Sequence, residues 1–147
     1  MSSDEIRAVG DGFAITITVD RYERLTAQDE SDLNWLKCEL SARVGVFTGV
    51  FELGLTTDEL ESWGEQLGKL LERGSGEVLL VSEEDNLRLE VVLGLAGRAQ
   101  LSGRISSQDM ARAALEFQAE TDRTSLAQLH ADLRRIVRDY PTRVSNE

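Results

Sequence analysis

Cysteine and histidine occur once each in these 147 residues, and that scarcity removes most site chemistry before any pattern is sought. With Cys38 alone there is no internal disulfide and no CxxC redox or zinc motif. With His130 alone there is no two-histidine metal site, and a Ser-His-Asp arrangement would depend on this residue without a matching nucleophile signature. Long apolar runs are also missing: residues 78–81 and 91–93 fall far short of the roughly 20 needed to span a bilayer. The opening residues MSSDEIRAVGDG carry acids where a signal peptide needs positive charge and then an apolar block, so a cytoplasmic location is expected.

What is present suits a folded chain. Hydrophobic residues make up 41% and charged residues 29%, with a mean hydropathy of −0.27, enough apolar content for a core without staples. The length predicts a single domain over 1–147, with its ordered core at about 13–141. The net charge of −11 is uneven: residues 1–73 hold 15 acids against 7 bases, and residues 74–147 hold 12 against 9. The first part therefore carries −8 and the second −3. Such a surface repels phosphate backbones and anionic lipid, which argues against a nucleic-acid or membrane partner and for a basic protein partner.

Periodicity assigns the elements. Residues 13–21 (FAITITVDR) alternate Ile15, Ile17 and Val19 with Thr16, Thr18 and Asp20, the period of two of a half-buried strand. In 34–44, Leu36, Cys38, Leu40, Ala42 and Val44 alternate with polar residues, and Phe47, Phe51, Leu53 and Leu55 continue the pattern as a hairpin. Thr56-x-x-Glu59 then forms a capping box, with Leu60, Trp63, Leu67, Leu70 and Leu71 on one helical face up to Gly74. Gly64 and Gly68 share a stripe where another backbone can approach closely. Strand patterns return at 77–83, 86–94, 98–106 and 113–121, and a second helix is expected from a Ser125-x-x-Gln128 capping box to Pro141. The short connections imply an antiparallel meander. The expected fold is α+β: about seven or eight mostly antiparallel strands in a curved sheet or open sandwich, with two amphipathic helices packed on it.

No group of residues spells a reaction, and neither a catalytic residue nor a cofactor or metal site is expected. Cys38 lies on the apolar side of its strand, where cysteine behaves as a small hydrophobe. Asp58, Glu59, Glu61 and Glu65 fit a helix start, where acids favour the positive end of the dipole, better than a metal or acid–base cluster. Trp63 sits on the buried helix stripe. Trp35 has the parity opposite to Leu36, Cys38 and Leu40, so it points away from their face, toward a covering helix or loop or toward a partner.

Asn34-Trp35-Leu36, preceded by Asp32 and followed by a hairpin, then Thr57-x-Glu59-Leu60 and Trp63-x-x-x-Leu67, resembles the WapI-type immunity protein family. The strand-rich middle and a closing helix ending in Tyr140-Pro141 are similar too, over residues 13–141. The resemblance implies a small bacterial protein that neutralises the toxic tip of a contact-dependent or polymorphic toxin, without catalytic residues. Read with the charge split, it predicts that Asp29, Glu30, Asp32, Trp35, Glu59, Glu61 and Glu65 bind a basic toxin domain and occlude it. The competing expectation is a small ligand-binding or housekeeping protein with a pocket between sheet and helices.

Overall fold

The computed structural model describes residues 4–23, 33–107 and 111–144. They form β1 (Glu5–Gly10), β2 (Phe13–Tyr22), β3 (Trp35–Val44), β4 (Phe47–Thr56), α1 (Thr57–Arg73), β5 (Gly76–Val81), β6 (Leu87–Leu93), β7 (Arg98–Ser106), β8 (Ala114–Asp122) and α2 (Arg123–Asp139). The fold is α+β, with every strand pair antiparallel. The strands divide into two four-stranded sheets, ordered β1-β2-β3-β4 and β5-β6-β7-β8. Each meander runs directly into a helix, so the chain is a tandem of two ββββα halves.

Most elements match their periodicity to within a residue or two; the exceptions have physical causes. β1 lies in what reads from sequence as a lead-in, because only Ile6 and Ala8 of its six residues face the core. Its signal is Asp11-Gly12, a two-residue hairpin turn with Gly12 at φ 76°. α2 begins at Arg123, and its cap is Asp122, whose Oδ1 accepts the Ser125 N–H at 2.8 Å. The Ser125 box is thus replaced by an Asx cap at the end of β8. The Thr56 cap of α1 is as read, with the Glu59 N–H donating to Thr56 Oγ1 at 3.2 Å. Gly74, at φ 81°, closes that helix by donating its N–H to the Leu70 carbonyl.

One apolar cluster joins both sheets and both helices. Ile15, Ile17, Leu36, Cys38, Leu40, Leu60, Leu67, Leu70, Leu89, Leu129, Leu133 and Ile136 are buried, while Phe51 and Phe117 are half-buried against it. Across the seam between the halves, Phe13 meets Phe117 with ring centroids 5.4 Å apart, and the Asp11 N–H donates to the Glu120 carbonyl. The two helices pack on each other along the glycine stripe. A Cβ added at Gly68 would lie 3.0 Å from Nε2 of His130, so the missing side chain is what admits the histidine ring.

α2 also seals an edge of the first sheet. Asp132, buried at 3% exposure, accepts the Arg7 N–H of β1 through Oδ2 at 3.0 Å. Arg135 donates to Asp132 Oδ1 at 3.1 Å and to the Glu5 carbonyl at 2.7 Å. Thr121 Oγ1 donates to the Val9 carbonyl at 2.7 Å. These bonds occupy backbone groups that an edge strand would otherwise offer to another chain.

Candidate partner-binding site

Glu59 is the least ordinary charged group in the described residues. It stands in the first turn of α1, but β4 delivers the chain there with its end already packed, so the carboxylate is half-buried between the end of the first sheet and the β5–β6 turn. Oε1 accepts the Glu83 N–H at 3.1 Å; Oε2 is buried and has no hydrogen-bond partner. Burial, and then the nearby Glu83 charge, push this carboxyl up to about 7, against the opposing pull of the Glu83 and Thr56 N–H groups. Glu59 is therefore not the solvated helix-start acid that its position suggests.

Glu59 lines a cleft of about 820 Å³ together with Trp35, Asp58, Trp63 and Glu83. β3 supplies Trp35, pointing off the buried face as its parity requires; α1 supplies Asp58, Glu59 and Trp63; the β5–β6 turn supplies Glu83. Trp63 is 4% exposed and forms the floor, whereas Trp35 is half-buried at the side. A Cβ on Gly54 would meet the Trp35 ring at 3.2 Å, so that glycine lets the indole lie against β4. Asp58 Oδ1 accepts from Thr142 Oγ1 at 3.3 Å. Among the described residues, no lysine, arginine or histidine lines this cleft.

Glu61 and Glu65 stand elsewhere. Both are exposed and line a smaller groove of about 320 Å³ between the helices, facing Arg134 of α2. Of the acids proposed from sequence that lie among the described residues, only Glu59 joins Trp35. Asp29, Glu30 and Asp32 lie outside the described residues. The flanks of that segment are tied to the C-terminal tail: Asn34 exchanges two hydrogen bonds with the Arg143 backbone, at 2.6 and 3.0 Å. The Arg143 guanidinium donates to the Leu33 carbonyl and stacks 3.6 Å above the Tyr22 ring.

The sequence reading missed one surface. Val46, Phe47 and Val50 are 91%, 62% and 64% exposed at the β3–β4 hairpin tip, although alternation assigns Phe47 to the core. The available signal is local: Gly45 and Gly49 bracket the tip, and Ala42 pairs with Gly49, so no large side chain there covers Phe47.

The remaining candidates have structural roles. Cys38 is 2% exposed, and its thiol is pushed up to about 12, first by burial and then by the Glu59 charge, which leaves it protonated and unreactive at neutral pH. His130 packs over Gly68 in the helix contact. Among the described residues, no three His, Cys, Asp or Glu side chains converge as a metal site, and no helix is long and apolar enough to cross a membrane.

Compared with curated proteins, the chain finds no match. A family comparison does find one, covering both ββββα halves from β1 to the residue after Tyr140, at residues 6–141. The chain belongs to the immunity protein WapI-like family.

Proposed function

We propose that this protein protects the cell that makes it by binding a cognate toxin domain and blocking it sterically, without catalysing a reaction. Family membership supports the toxin-neutralising role at the coarse level. The finer reading, that the toxin is basic and is met by the acid-rich first half, joined at the cleft by Glu83 of the second, rests on one observation above others. Three carboxylates and two indoles border one cleft that, among the described residues, holds no cationic side chain. Acids so placed raise the capture rate of a basic partner, and a rigid platform on α1 and the strand ends excludes the toxin's substrate once bound. Glu61 and Glu65, exposed on the adjoining helix face, extend the same negative field.

Co-expression tests this reading. A toxin domain encoded beside the gene should halt growth of a sensitive bacterium alone, and this chain should restore growth and co-purify with the domain. Continued killing in the presence of well-expressed, folded protein rejects it.

A further inference from the structure

We infer that the cleft between Trp35, Glu59 and Glu83 is a receptor for one arginine side chain of the partner. This rests on the toxin-binding reading and names the chemistry of its central contact.

Charge complementarity selects the occupant. Asp58, Glu59 and Glu83 reach the cleft from α1 and from the β5–β6 turn, so both halves of the chain contribute negative charge to one concavity. The protein answers only part of that charge itself, through the Glu83 N–H on Glu59 and the Thr142 hydroxyl on Asp58. Glu59 Oε2 is itself buried, so Asp58 and Glu83, both exposed, are the carboxylates that a guanidinium reaches first. A half-buried carboxylate beside another carboxylate costs stability when ionised, and strained groups of that kind cluster at functional sites. The elevated titration of Glu59 agrees with it.

The indoles distinguish arginine from other cations. Guanidinium is planar, donates in a fixed fork to carboxylates and stacks on aromatic faces, whereas ammonium is a strongly hydrated point charge. Trp35 supplies a half-buried aromatic side wall held against Gly54, and Trp63 supplies an apolar floor for the methylene stem. The volume, about 820 Å³, takes such a side chain with room for part of the backbone that carries it.

The chain has two tryptophans and both line this cleft, so indole N–H resonances report on it alone. The test titrates the full chain with N-acetyl-arginine-N-methylamide, using the neutral norleucine analogue as control. A saturable shift of both indole signals is expected with the arginine probe and none with norleucine. Glu83→Gln, on an exposed turn that tolerates substitution, should weaken the response about tenfold, and Glu59→Gln should do so as well. Absence of saturation with the arginine probe overturns the inference, as does an equal response to norleucine or an unchanged response in a folded Glu83→Gln variant. If growth rescue persists while the probe fails, only the arginine contact falls. If the probe binds and rescue fails, the toxin assignment falls and the cation site stands.

Discussion

The two ββββα halves solve the same packing problem with matching residues and then diverge at polar positions. Each helix has 17 residues and follows its fourth strand without a linker, capped by Thr56 in one case and Asp122 in the other. Leu60, Trp63, Leu67 and Leu70 of α1 correspond in spacing to Leu126, Leu129, Leu133 and Ile136 of α2, and all eight are buried. The polar positions diverge. On α2, Asp132 and Arg135 bind the backbone of β1 and close that edge. On α1, Glu59 reaches the β5–β6 turn and borders an open cleft. Apolar spacing sets where a helix lies, so the same stripe can carry a structural staple in one half and a candidate binding surface in the other.

The largest expected effect tests the equivalence itself. Leu67→Ala and Leu133→Ala, both at 0% exposure, should each cost about 2–5 kcal/mol in urea unfolding, with similar values. A large cost in one half and a small one in the other would break the symmetry. The staple comes next: Asp132→Ala leaves the Arg7 N–H and part of the Arg135 fork without their acceptor and should cost about 2–3 kcal/mol. Faster hydrogen exchange confined to β1 should accompany it.

A smaller effect of opposite sign is expected from Glu59. Its folded titration point, about 7, lies above the ordinary 4.5, so the fold favours the protonated form. The stability this contributes is fully present below pH 4.5 and is lost as pH rises toward 7. Glu59→Gln should therefore stabilise the protein at pH 8 by about 1 kcal/mol, discounted because the group is only half-buried, and should lose that advantage near pH 4. Equal gains at both pH values would show that the carboxylate is not strained.

Steering is the smallest effect. Reversing Glu61 and Glu65 should slow association with a basic toxin severalfold at low salt and little at physiological salt, where the Debye length is about 8 Å. Arg88, exposed on the outer face of the second sheet, is the better control. Arg134 faces the same groove as Glu61 and Glu65, and Arg135 holds β1, so neither separates charge from structure.

What was legible and what was not follow the range of the interactions. Alternation in β2 and β3, the helical stripe of α1 and its Thr56 cap depend on residues within a turn or two of each other, and all three are as the local pattern requires. Trp35 leaves the buried face because parity along a strand is fixed by the pleat. The Gly64 and Gly68 stripe announced a close helix contact without naming its partner. At the hairpin tip, local pattern misled: Phe47 keeps the core parity but lies beyond the side chains that would cover it.

By itself the sequence determined the order of the elements from β2 onward, the helix stripes, the parity of the strands and an acidic first half, since each depends on near neighbours or on composition. Only the tertiary structure decided that the strands split into two sheets, that Asp132 closes one edge, and that Glu59 turns inward beside Trp35 and Glu83 while Glu61 and Glu65 face Arg134. The reason is physical. Burial and electrostatic environment are set by whatever packs from far along the chain, and Glu83, which helps strain Glu59, lies 24 residues away.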